Sequence, residues 1–391
     1  MNVRIFFLAL GMVASGMNSL LIAGLLPQIA RSLDVSEAAV GISVSVLAVT
    51  YALTAPFIPI VFSRFSRRAI LMVAMVVFLI GVLLSAFAWD ISSFYAARAI
   101  VGLGAAAYAA QAMAAAIEIA PPGRQGAAAA WVSMGFAVSM ALGVPVGTLL
   151  GGAFGYRIAF LVTALIGAVA LIGLTSVRIA RRADRSTLRQ QFRPLASPVV
   201  LAVLTLTLFY SVSFFIILTY LYPILVSAAG ADGTMVAAAL AVFGVCNIVS
   251  MGIGGRLIDR FGGLSVIVVC LLVMSVATPL LGAPIGAVGA FIAIAAFGLT
   301  GSLIGPATNV ALGAMHPQNP ATVVGANMSA VQLGAAVGGA AGAAILTSHG
   351  ASWIAFAAGP PAILAAGICG GILLVRRARR SHDAATTGAV A

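Results

Sequence analysis

Polar residues interrupt this chain at regular intervals, and long apolar stretches lie between the interruptions. Cutting at charges and at Pro, Gly and Asp turns leaves twelve apolar runs. They fall at about 5–30, 37–62, 68–88, 92–118, 125–150 and 156–177, then at 198–226, 233–257, 264–282, 285–314, 321–347 and 352–375. A helix rises about 1.5 Å per residue, so about 20 apolar residues cross a bilayer core. The pattern predicts an all-α polytopic membrane protein with twelve transmembrane helices. The first run is too long for the apolar core of a signal peptide, about 7–15 residues, and reads as the first span.

The second six runs repeat the first six. Pro27 matches Pro223, Gly102-Leu103 matches Gly298-Leu299, and Ile158-Ala159-Phe160 matches Ile354-Ala355-Phe356, all at an offset of 196 residues. The expected organisation is a six-helix half at 1–177, a basic linker at 178–197, a second six-helix half at 198–376 and a cytoplasmic tail at 377–391, polar and disordered after Arg380. Between runs two and three, and between eight and nine, the repeat carries paired charged turns. The second, Gly255 to Gly263, holds Asp259 and Arg260 among glycines; the first, Pro59 to Arg68, holds Arg64, Arg67 and Arg68. Glycines let helix ends approach closely, and an acid can sit at a neighbouring helix N-terminus, so these turns are candidate conformational latches.

Composition agrees with a membrane protein: 62% of residues are hydrophobic and 7% charged, against about 25% charged in soluble domains. Mean hydropathy is +1.18. The net charge of +12 comes from arginine alone, and 17 of the 20 arginines fall in alternate connecting segments. That bias places those segments and both termini in the cytoplasm, and it accounts for the charge without nucleic acid. The three cysteines lie inside apolar runs, at no metal-ligand spacing. Neither a nucleotide-binding Gly-Lys-Ser/Thr loop nor a His-Glu-x-x-His pair occurs. The expectation is a non-enzyme with no cofactor and no metal.

Charges inside runs are few. Arg98 lies about 9 Å deep by helical rise, where it either reaches a facing carbonyl or handles substrate or protons. No Asp or Glu falls mid-run; Glu118 sits at an inner end, within reach of Arg67. Run 5 carries small residues every fourth position, at Gly135, Ser139, Gly143, Gly147 and Gly151, with Pro145 inserted. That stripe suits close helix packing with a bend, a pivot. Run 11 has Gly334, Gly338 and Gly342 at the same spacing.

These residues resemble those of the major facilitator superfamily over nearly the whole chain. The turn pattern Gly-x-Leu-x-Asp-x-x-Gly-Arg-Arg is met by Gly255, Leu257, Asp259 and Gly262, then departs at Gly263. In the first half only Arg64, Arg67 and Arg68 remain; Pro59, Ser63 and Ser66 replace Gly, Asp and Gly. Arg98 to Gly104 resembles Arg-x-x-Gln-Gly-x-Gly, with Val101 for Gln. Gly143-Val-Pro-Val-Gly-Thr148 followed by Gly155-Tyr-Arg157 is similar to the twelve-helix drug:proton antiporter and sugar (arabinose-type) efflux branch. The resemblance implies alternating access, in which two halves rock about a midplane site lined by spans 1, 4, 7 and 10.

The polar in-span residues then become cavity candidates: Asn18, Tyr51, Arg98, Tyr108, Tyr210, Ser213, Asn247, Asn309, Asn327 and Gln332. Each is open to a second reading, as an interhelical hydrogen bond. The expected function is export of small organic compounds by proton antiport from a bacterial inner membrane. An uncoupled facilitator of a neutral metabolite and a non-transporting sensor are the alternatives. Expected partners are a small-molecule substrate, protons and membrane lipid, for a monomeric protein.

Overall fold

The computed structural model describes residues 3–55, 57–58, 65–121, 125–176, 197–315 and 320–388. Among the described residues, twelve helical spans are long and apolar enough to cross a membrane. The first six are Val3–Ser32, Glu37–Thr54, Arg67–Ala86, Ile91–Ile119, a composite running from Gln125 to Phe154, and Tyr156–Leu174. The seventh divides into Pro198–Thr219 and Leu221–Ala229. Spans 8 to 11 are Gly233–Phe261, Gly263–Leu280, Gly286–Met315 and Pro320–His349, and the twelfth divides into Ala351–Ala357 and Gly359–Gly388.

Proline explains most departures from the expected spans. Span 2 is helical to Thr54 and Ala55 still has helical angles (φ −52°), so the break falls at Pro56, which has no N–H to give Ala52; of the expected run to 62, residues 59–62 lie outside those described. Span 5 is helical over Gln125–Val138, π-helical over Ser139–Gly143, and helical again over Val144–Phe154. Pro145 has no N–H to give Ala141, and the Val144 N–H reaches back five residues to the Ser139 carbonyl. Span 7 breaks at Tyr220 (φ −109°) because Pro223 cannot donate to Thr219. Span 12 breaks at Ala358, ahead of Pro360 and Pro361. Its last helix continues to Gly388 instead of ending near 375, and the alanine and arginine content of that stretch favours helix.

The repeat slips by one residue midway. Gly155 and Gly350, both at φ +89° before a helix, lie 195 apart. At that offset the buried Ala159, Phe160 and Thr163 correspond to Ile354, Ala355 and Ala358, each equally buried. Phe356, the earlier match for Phe160, is exposed. At the same offset Gly143 and Gly147 correspond to Gly338 and Gly342.

Both stripes serve the same contact. A Cβ on Gly135 would strike the Ala9 carbonyl, and Cβ atoms on Gly143, Gly147 and Gly151 would strike Met17, Leu21 and Leu25 of span 1. On span 11, Cβ atoms at Gly338 and Gly342 would meet span 7 at Val212, Ile216 and Tyr220. Small residues bring each helix pair close enough for backbone contact.

Contact between the two sets of six helices lies toward one end. Span 2 packs along span 11, and the later part of span 5 along span 8. Ser45 Oγ donates to the Ala336 carbonyl at 2.6 Å, Ala48 packs against Ala335, Ala336 and Phe215, and Gly41 touches the Tyr220 hydroxyl. These contacts run from mid-bundle to the end holding the turns at Asp34, Asp90, Gly155, Gly230, Gly286 and Gly350. Arg67, Arg68, Arg256 and Arg260 mark the other end.

Candidate functional site

At the arginine-rich end Arg67 opens span 3 and Glu118 closes span 4, and they form an ion pair at 2.5 Å. Each charge occupies the unfavourable end of its own helix dipole, a cation at an N-terminus and an anion at a C-terminus. Pairing places each beside the opposite helix end and relieves both. Ser66, which stands where the superfamily pattern has glycine, caps span 3 by accepting from the Ala69 N–H. Arg68 donates to the Thr175 carbonyl at 2.6 Å, closing the end of span 6. Arg64 lies outside the described residues, as does the side chain of Asp259. Arg260 is exposed and stacks on Phe261 at 5.3 Å.

Several cavity candidates are buried in interhelical bonds. Tyr108 donates to the Leu8 carbonyl at 2.9 Å, Tyr210 to Gly301 at 2.6 Å and Ser213 to Ala358 at 2.7 Å, at the break in span 12. These three tie span 4 to span 1, span 7 to span 10 and span 7 to span 12. Tyr51 is half-buried against the core, and Asn247 is buried on span 8.

A second group forms one polar network nearer the arginine-rich end. Thr207 donates to Asn327 Oδ1 at 2.7 Å, and Asn327 Nδ2 reaches Thr308 at 3.2 Å and Asn309 Oδ1 at 2.9 Å. Asn309 and Gln332 are only half-buried, and Ser302 and Gly305 precede Asn309 on the same face of span 10. The sequence reading missed Thr207 and Thr308, because lone threonines in apolar helices usually bond their own backbone.

The third group centres on Arg98, fully buried two turns from the opposite end. Its Nη1 donates to both the side chain and the backbone carbonyl of Asn18, at 2.5 and 3.2 Å. Ser43 of span 2 stands at the same level: Tyr95 bonds Ala39 one turn before it, and Gly102 abuts Leu47 one turn after. Ser43 carried no signal in the sequence.

Twelve spans, a repeated six-helix unit, glycine-stripe packing and contact toward one end together define an alternating-access transport bundle. The chain belongs to the major facilitator superfamily, whose family model matches residues 8–227 and 203–390. It is 30% identical to the inner membrane transport protein YdhP of Escherichia coli (strain K12), over 89% of this chain and 90% of that one. It is 28% identical to the MFS-type transporter YbcL of Bacillus subtilis (strain 168), over 87% of each. A chloramphenicol resistance protein of Streptomyces lividans is 28% identical over 66% of this chain and 68% of its own. The fold matches a crystal structure of the nucleoside transporter NupG, in a mutant form, with a TM-score of 0.77 at 12% identity, covering 95% of this chain and 99% of that one.

Proposed function

We propose that the protein exports small, neutral or amphipathic organic compounds across a bacterial inner membrane in exchange for protons. The arginine-rich end and both termini lie in the cytoplasm, by the arginine bias. The carrying observation is that contact between the halves runs from mid-bundle toward the opposite end, with Ser45 bonded to Ala336. In this orientation the state is inward-facing, with Asn309 and Gln332 turned toward the cytoplasmic entrance. Names of relatives support the reading: an inner membrane transport protein and a chloramphenicol resistance protein.

The roles follow from position. The network of Thr207, Asn309 and Asn327, with Gln332 further along span 11, offers amide and hydroxyl groups to an uncharged cargo. The Arg67–Glu118 pair, with Arg64, Arg68, Asp259 and Arg260, forms the inner latch. Gly135, Gly143, Pro145, Gly147 and Gly151 form the pivot against span 1. Glu118 is the acid nearest the cytoplasmic mouth and the candidate proton carrier.

One observation favours uncoupled facilitation instead: no span has an Asp or Glu at its middle, where proton relays usually sit. Proteoliposomes loaded with chloramphenicol, with and without an imposed pH gradient, separate the readings. Accumulation that follows the gradient and fails in Glu118→Gln supports antiport. Equilibration indifferent to the gradient replaces antiport with facilitation. No flux of chloramphenicol, sugars or nucleosides overturns the transport reading itself.

A further inference from the structure

The Arg98 cluster holds more hydrogen-bonding capacity than the protein uses. Nη1 carries both bonds to Asn18, while Nε and Nη2, which form the lateral edge of the guanidinium, have no partner among the described residues. Asn18 Nδ2 and Ser43 Oγ are likewise buried without a partner among the described residues. Arg98, Asn18 and Ser43 are each 0% exposed, and Arg98 has no carboxylate partner among the described residues. A buried cation is normally paired, and buried donors are normally bonded.

We infer that the Nε/Nη2 edge of Arg98, flanked by Asn18 and Ser43, is a binding subsite for a carboxylate. Two parallel N–H groups on a planar fork match the two oxygens of a carboxylate, which a single round ion cannot engage as well. The Asn18 amide and the Ser43 hydroxyl add donors at the same depth. A cleft lined by Ser19, Ala23, Val44, Phe215 and Thr219 lies beside the cluster, one residue along from Asn18 and from Ser43. The cleft lies where the halves meet, so the subsite is closed in this state and opens when spans 2 and 11 part. The carboxylate belongs either to the cargo or to a free small anion that travels or stays with it.

Binding is measured on the purified full chain in detergent, so the result does not depend on the transport reading. Sodium acetate, sodium chloride and acetamide are titrated while the unfolding midpoint is followed. Acetate is expected to raise it saturably by a few degrees, with chloride and acetamide well behind, since a ligand of the native state stabilises in proportion to occupancy. Arg98→Lys keeps the charge and removes the fork, and the apparent acetate affinity should fall at least about tenfold. Should that variant fail to fold, Ser43→Ala must weaken acetate binding while the wild-type preference for acetate over chloride stands. Equal protection by chloride and acetate, equal affinity in Arg98→Lys or, in its absence, Ser43→Ala, or no protection by acetate each overturns the subsite. Uptake of radiolabelled benzoate into proteoliposomes, against benzamide, assigns the carboxylate to the cargo. Acetate-dependent flux of chloramphenicol without benzoate uptake assigns it to a free anion.

Discussion

Neutralising Glu118 tests whether the arginine-rich end is held by a specific pair or by diffuse charge. The pair spans 2.5 Å, and its side chains are 22% and 20% exposed. Fully exposed pairs contribute about 0.2–1 kcal/mol. Here most of both side chains is covered, and each charge also opposes its own helix dipole, an effect reaching about 2 kcal/mol in partly buried sites. A coupling of about 1–2 kcal/mol follows, or about 5–30-fold in an equilibrium constant. Glu118→Gln leaves Arg67 at a helix N-terminus with no anion, and Arg67→Gln leaves Glu118 at a C-terminus with no cation. Each single change should destabilise the protein, and the double variant should lose less than the sum by about the coupling. The assay is denaturation in detergent for all four proteins, with chloramphenicol flux measured beside it and membrane insertion checked by yield. Losses that add to within about 0.5 kcal/mol would mean that the two residues do not act as a pair.

Other outcomes follow from the packing. Gly147→Val drives a branched side chain into Leu21, and overpacking of this kind costs about 1–3 kcal/mol; Gly367→Ala, with open space around it, should be neutral in the same thermal assay. Ser45→Ala removes the 2.6 Å bond to Ala336, worth about 0.5–1.5 kcal/mol, so cysteine labelling from the outer side should rise up to about tenfold; unchanged labelling would remove Ser45 from the closure. Asp90 caps span 4, and bonds from the Ser93 side chain and backbone hold its carboxyl below the ordinary aspartate value. Its stabilisation is present above the unfolded value and is lost as pH falls through the folded one, so Asp90→Asn should keep the cap and flatten that acid limb of the stability profile.

Helix number, the repeat and the family were all legible because they rest on long periodic signals. The twelve runs need only apolar length, and the motif residues are glycines, prolines and arginines whose roles are set by backbone shape and charge. The one-residue slip was not legible, because Ile158-Ala159-Phe160 and Ile354-Ala355-Phe356 are identical tripeptides one position out of phase. Only the burial pattern and the paired left-handed glycines Gly155 and Gly350 separate the two alignments. The site was half legible. Arg98, Asn327 and Glu118 announce themselves as polar groups in apolar surroundings, but Tyr108, Tyr210 and Ser213 looked the same in sequence and are bonded to backbone carbonyls of neighbouring helices. Ser43 and Thr207 were silent, since a small hydroxyl in a helix satisfies itself locally unless tertiary structure draws it away.

The corrected repeat shows where the two halves diverged. Arg98, Asn18 and Ser43 correspond to Ile294, Phe214 and Ala239 in the second half, and all three of those are apolar. Phe214 stacks on Phe297 at 5.1 Å and lies near Phe243, filling with aromatic rings the space that the first half gives to its buried cation. The exchange runs the other way near the arginine-rich end, where Thr207, Asn309 and Asn327 correspond to Gly11, Met113 and Val132. Glycine-stripe contacts at Gly143/Gly338 and Gly147/Gly342 were kept, since both halves need the same close helix pair. Polar groups were therefore redistributed over a conserved scaffold, one cluster to each half and at opposite depths. A cluster of buried donors is most strained when dry, and alternating access wets the two depths in turn. On the inward-facing reading proposed above, the asparagine network lies toward the open end and the Arg98 cluster is sealed. Parting of spans 2 and 11 reverses this, and hydration or an anion at Arg98 then offsets the cost of opening. The halves are parallel repeats about the membrane normal, so the two faces differ even without this divergence; the two clusters add a polar group at each depth to that difference.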